Sequence, residues 1–210
     1  MKIKYVSFYT NDSIYSPLAK SLESDFKKYK LDYHIECVEP PKENRKHSWG
    51  QLCLYKPMFV LTQMRENPNV DAIIWVDIDT KITEPLDKFE RFLKTNEFDI
   101  AVQLRPYPFA CVMGFSQSQQ SYTFVSQWIE ENKNTDMKNS IRQRCGGSDQ
   151  NGLARLIQSI KGRHAEHNTT IPKILSIPNN FVSKTPKSTF YEIQASRQVR
   201  DQIKKFGDVL

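Results

Sequence analysis

The segment Trp75-Val-Asp77-Ile-Asp79-Thr80 ends the most apolar run of the chain with two carboxylates, one residue apart. Twelve Asp in 210 positions give about 0.7 Asp-x-Asp pairs by chance, so the pair gains meaning only from its context. That context is the end of a strand. Residues i and i+2 of a strand face one side about 6.7 Å apart, where two carboxylates repel by ~2.5 kcal/mol at an effective dielectric near ~20. A divalent cation relieves that repulsion. Ligation by oxygen alone favours Mn²⁺ or Mg²⁺ over zinc, and such ions complete their shells with water and substrate phosphates. The plainer reading is that Asp77 and Asp79 end a strand and start a turn, with water and Lys81 balancing their charge.

Alternating strand and helix patterns surround this pair. Residues 3 to 9 alternate as a strand, and Asn11-Asp12 supplies turn chemistry. Ser16-Pro17 reads as N-cap and first position of a helix with Leu18, Leu22, Phe26 and Tyr29 on one face. A second strand follows at Tyr33 to Val38, then a loop over residues 39 to 50 with Pro40-Pro41, a basic run and Trp49. Pro57 is expected to open a helix running to about Arg65. Ala72 to Asp77 is continuously apolar before its acid, which predicts a strand buried on both faces and central in a parallel sheet.

Further on, Glu84-Pro85 predicts a short helix, Phe98 to Gln103 and Phe109 to Met113 two strands, and the segment through Tyr122, Val125, Trp128 and Ile129 a helix. Gly146-Gly147-Ser148 predicts a turn and N-cap, with Asp149 in the first turn of a helix carrying Leu153, Leu156, Ile157 and Ile160. A last strand is expected at Ile174 to Pro178 and a basic C-terminal helix over 191–206. The alternation indicates an α/β fold with a mostly parallel sheet flanked by helices, in one domain over 1–190, with 191–210 leading toward any further domain.

Composition narrows the function classes. With 39% apolar and 26% charged residues the chain is globular, which sets aside disordered, collagenous and low-complexity proteins. No run approaches the ~18 to 20 apolar residues of a membrane span, and the alternating N-terminus lacks the apolar core of a secretory signal. Cys37, Cys53, Cys111 and Cys145 show no Cys-x-x-Cys spacing, which argues against a zinc ribbon or disulfide scaffold and for reduced thiols in a cytoplasmic protein. A net charge of +6 suits an anionic partner without choosing among nucleic acid, membrane surface and phosphorylated small molecule.

With these segments in this order, the sequence resembles the GT-A class of nucleotide-sugar glycosyltransferases over most of its length. It further resembles the small glycosyltransferase domains encoded by large DNA viruses of algae, which would place it in a host cytoplasm. Ile74-Trp-Val-Asp-Ile-Asp79 followed by Ile82 is similar to the class signature of apolar strand, Asp-x-Asp and apolar residue. By that resemblance Asp77 and Asp79 bind Mn²⁺ (or Mg²⁺), and Ile78 passes the ribose. Thr10 and Asn11 resemble the segment that holds the base, and Arg45 and Lys56 the basic residues set against diphosphate and sugar. Gln103 and Arg105 are the corresponding candidates after the next strand. Gly114-Phe-Ser, Trp128 and Ser148-Asp149-Gln150 are similar to the substrate strand, the Trp-bearing helix and the Asp-Gln facing the acceptor. The His that commonly supplies a third ligand has no match, since only Asn179 and Asn180 follow the last strand.

The resemblance implies transfer of a sugar from a nucleoside-diphosphate donor, a UDP-sugar by preference, to a hydroxyl of a glycan acceptor. A metal on Asp77 and Asp79, with Lys56 and Arg45, would neutralise the departing diphosphate. Asp149 is the base if the anomeric centre inverts, and a contact to acceptor or sugar if it is retained. Two rivals remain. In the haloacid-dehalogenase type of phosphotransferase the first Asp is a nucleophile, but here Lys81 replaces the following Thr and no later acidic pair binds Mg²⁺. A nucleic-acid-binding module would use Lys42, Arg45 and Lys46 with Arg197, Arg200, Lys204 and Lys205, two separate runs without a known signature.

Overall fold

Every residue of Ala72–Val76 is buried, as its unbroken apolar run requires. The computed structural model describes residues 1–39, 48–104, 108–133, 148–163 and 171–192. In chain order the elements are β1 (Ile3–Tyr9), α1 (Tyr15–Lys28), β2 (Tyr33–Cys37), α2 (Ser48–Glu66), β3 (Ala72–Val76), β4 (Thr80–Ile82) and α3 (Asp87–Thr95). They continue with β5 (Ile100–Gln103), β6 (Phe109–Ser116), α4 (Gln119–Lys133), α5 (Ser148–Arg163), β7 (Ile174–Ser176), β8 (Val182–Ser183) and β9 (Phe190–Glu192).

Six strands form one sheet in the order β2-β1-β3-β6-β5-β7, and a three-stranded sheet has the order β4-β9-β8. In the large sheet β1 runs parallel to β2 and β3, and β5 parallel to β7; β6 alone is reversed, pairing antiparallel with β3 and β5. The α/β class with a mostly parallel sheet is therefore what the chain adopts.

Side-chain alternation along β3 divides the core. Ile73 and Trp75 enter a cluster with Phe59, Met64, Trp128 and Leu156 from α2, α4 and α5, whereas Ile74 and Val76 enter a second with Leu22, Phe26, Phe89 and Phe190. Helices thus cover one face of the sheet, and α1, α3 and the small sheet cover the other.

Several local expectations are corrected. Helix α1 begins at Tyr15, and Asp12, not Ser16, caps it: Asp12 Oδ1 accepts from Ile14 N at 2.9 Å and Tyr15 N at 2.7 Å. Pro17 is tolerated there because first-turn N–H groups have no helical acceptor. Helix α2 starts at Ser48 and contains Pro57 internally, so residues 48 to 50 are helical where a loop was expected. The missing Pro57 N–H removes one helical hydrogen bond, and packing of the following buried stripe outweighs that loss. The short helix starts at Asp87, beyond Glu84-Pro85. At 190–192 the chain forms β9, which pairs with β4 through Ile82↔Phe190 and Thr80↔Glu192, where a helix was expected from 191. Residues 193–210 lie outside the described residues.

Candidate active site

The alternation that sends Ile73 and Trp75 toward the α2–α5 layer sends Asp77 the same way. The ladder carries on to it through Asp77 N to Cys111 O at 2.7 Å, and Thr80 N then turns back to Asp77 O at 3.0 Å. Two helices meet it there. Lys56 stands on the α2 stripe with Phe59, Val60, Gln63 and Met64, all buried. Asp149 heads the α5 stripe of Leu153, Leu156, Ile157 and Ile160, likewise buried. Trp128 in α4, fully buried in the core, fixes that helix start by donating its Nε1–H to Asp149 O at 3.1 Å.

Lys56 Nζ lies 2.8 Å from Asp77 Oδ1, 2.7 Å from Asp149 Oδ2 and 3.2 Å from Ala110 O. Trp75 Nε1 also donates to Asp77 Oδ1, at 2.7 Å, and Lys56 Nζ sits 5.2 Å from the Trp75 ring centroid. Asp79, on the next outward turn, is 7% exposed. Glu192, brought opposite Thr80 by β9, has a buried Oε2 with no hydrogen-bond donor among the described residues; Lys184 Nζ approaches to 3.8 Å.

The charges act on one another. Burial disfavours the Lys56 ammonium, but Asp149 and Asp77 beside it outweigh that and hold its pKa well above the usual lysine value. Burial pushes the Asp77 carboxyl up, Lys56 opposes this, and Asp149 adds to it. Burial, then Asp79 and Asp77, push Glu192 up to about 7. Desolvation first, and then the same acids, push the half-buried Cys53 and buried Cys111 thiols well above their ordinary value, so both stay protonated.

No protein-family profile and no curated protein matches the sequence. Among solved structures, the chain is similar to a glycosyltransferase involved in the glycosylation of the major capsid of PBCV-1, with a TM-score of 0.61 at 12% identity, covering 98% of this chain and 99% of that one. The fold is the GT-A glycosyltransferase fold.

On this GT-A frame some of the expected site residues are brought together and others are not. Lys56, Asp77 and Asp149 converge, and the chain runs on from Asp77 through buried Ile78 to buried Asp79. Thr10 and Asn11 follow β1 at the same sheet edge; Thr10 Oγ1 donates to Asp12, and Asn11 Oδ1 accepts from Ser16 Oγ at 3.1 Å. Gln150 follows Asp149 in the first turn of α5 and is partly buried. Gln103 is different: its Nε2 donates to Asn179 Oδ1 at 2.7 Å and Val182 O at 2.8 Å, so it ties β5 to the segment entering β8. Arg45 and Arg105 lie outside the described residues, as does the Trp49 side chain. Glu192 and Trp75 join the site without having been singled out in the sequence.

Asp77 and Asp79 offer oxygen donors of the kind a divalent cation takes. Asp77 and Asp149 set two carboxylates against the single ammonium of Lys56, and Asp79, likewise largely buried, follows Asp77 by two residues. Among the described residues no three His, Cys, Asp or Glu side chains are grouped closely enough to hold an ion alone. An ion on Asp77 and Asp79 would therefore complete its shell with water and phosphate oxygens, as Mn²⁺ and Mg²⁺ do. Among the described residues no helix is long and apolar enough to cross a membrane.

Proposed function

We propose that the protein is a metal-dependent glycosyltransferase that moves a sugar from a nucleoside diphosphate, a UDP-sugar by preference, to a hydroxyl of a glycan acceptor. The observation that carries this reading is the convergence of Lys56, Asp77 and Asp149 at one edge of a GT-A sheet, with Asp79 two residues beyond Asp77. The similarity of the whole chain to a capsid-glycosylating enzyme supports it.

In this reading Asp77 and Asp79 would hold Mn²⁺ or Mg²⁺, which when bound would supply positive charge to offset that of the diphosphate. Thr10 and Asn11 face the base and Ile78 the ribose. Asp149 and Gln150 face the acceptor side. If the anomeric centre inverts, Asp149 takes the acceptor hydroxyl proton; if it is retained, Asp149 positions acceptor or sugar. Its place 2.7 Å from Lys56 Nζ fixes the carboxylate in either case.

The test is slow hydrolysis of a panel of nucleotide sugars with Mn²⁺. Turnover of one donor that disappears in Asp77→Ala supports the proposal. A phosphate ester hydrolysed through an aspartyl-phosphate at Asp77 would point to the phosphotransferase instead.

A further inference from the structure

Lys56 has three N–H bonds, and each has an acceptor in place: Asp77 Oδ1, Asp149 Oδ2 and Ala110 O. Its side chain is 7% exposed and lies beneath the carboxylates. A phosphate oxygen could reach this ammonium only by displacing one of those acceptors, and displacing either carboxylate would leave a buried charge without its counter-ion. Asp77 shows the complementary pattern. Its Oδ1 accepts from both Lys56 and Trp75, whereas no described residue donates to Oδ2, and its side chain is 24% exposed. One oxygen is held by N–H donors and the other is left for a ligand, which is how outer-shell partners orient a metal-binding carboxylate.

Resting on the donor-site reading above, we propose that Lys56 is a positioning residue and not a phosphate ligand. It holds Asp77 with Oδ1 occupied and Oδ2 presented to the cation, and it fixes Asp149 to the same ammonium. Trp75 Nε1 supports the first task and Trp128, through the Asp149 backbone carbonyl, the second. The cation-binding carboxylate and the acceptor-side carboxylate are thereby joined through one charged group throughout the reaction. Lys56 stays in place when the donor arrives.

The experiment is NMR of the whole chain labelled with ¹⁵N and ¹³C, using Mg²⁺ as the diamagnetic ion and UDP as the nucleotide. A buried, hydrogen-bonded ammonium exchanges slowly, so the couplings from Lys56 Nζ to the carboxyl carbons of Asp77 and Asp149 can be followed in the free protein, with Mg²⁺, and with Mg²⁺ and UDP. Both couplings are expected in all three states, with no coupling or close contact from the Lys56 ammonium to ³¹P. Loss of either carboxylate coupling together with a new contact to UDP phosphorus overturns the positioning role while leaving the donor site intact. Absence of any Mg²⁺ or UDP effect at Asp79 and Thr10 overturns the donor-site reading, and the positioning role with it.

Discussion

Lys56 and Asp149 each stand on the buried stripe of a helix, and their side chains meet at 2.7 Å. A charge on an otherwise apolar stripe is costly unless a second element brings its opposite, and here α2 and α5 supply the two halves. Asp77 then shares the ammonium from the sheet. Replacing Lys56 by Met should destabilise the protein by about 3–5 kcal/mol, because two buried carboxylates lose their counter-ion. Urea unfolding measures this, and adding Asp149→Asn should recover part of the loss. Additive losses in the double variant would contradict the shared pair.

Glu192 gives a pH signature. Its folded pKa of about 7 lies above its ordinary value of 4.5, so the protonated carboxyl suits the folded state and the charged one does not. The associated stability is complete below about 4.5 and is lost as pH rises through about 7. Glu192→Gln should therefore match the wild type in Tm near pH 5 and exceed it at pH 8. A difference independent of pH would show that burial, with Asp79 and Asp77 beside it, does not raise this group.

Gly152 lets α5 approach α4. A β-carbon at this position would lie 2.2 Å from Asn132 Oδ1 and 3.3 Å from Asn132 Cγ, with Asn132 itself buried. Gly152→Ala should cost about 1–3 kcal/mol despite the better helix propensity of Ala. Trimming Asn132 to Ala in the same chain should make the second loss smaller than its value alone. Chemical denaturation of the four proteins of the cycle checks this.

Asp25 anchors the strand that leaves the site. Buried on α1, it accepts from Lys81 Nζ at 2.9 Å and Ile82 N at 3.1 Å, holding β4 immediately after Asp79. Asp25→Ala should lower stability by about 2–3 kcal/mol, since a buried backbone donor and an ammonium lose a charged acceptor. Faster amide exchange at Ile82 would accompany it.

Much of this arrangement is legible in the sequence. The unbroken run Ala72–Val76 marks a central strand, and the acid pair at its end marks the sheet edge where Lys56 and Asp149 meet Asp77. Lys56 and Asp149 carried a further signal, since each is a charged residue in register with an apolar stripe; only their pairing needed the fold. Three features left little trace. The start of α2 was hidden by Pro57, which reads as a helix opening although packing carries the helix through it. Asp12 caps α1 from outside the helix, in competition with the equally plausible Ser16. The small sheet rests on strands of two and three residues, too short for periodicity to register, and it alone brings Glu192 to the site.

The central claim is a metal-dependent nucleotide site at Asp77 and Asp79. Its most direct test is calorimetric binding of UDP, GDP, TDP and CMP, with and without Mn²⁺, to the wild type and to Asp79→Ala. UDP should bind with Mn²⁺ and at least about tenfold more weakly without it, and Asp79→Ala should lose the Mn²⁺-dependent part. No nucleotide binding under any condition, or binding indifferent to both Mn²⁺ and Asp79, would contradict it and leave the two aspartates as the end of a strand.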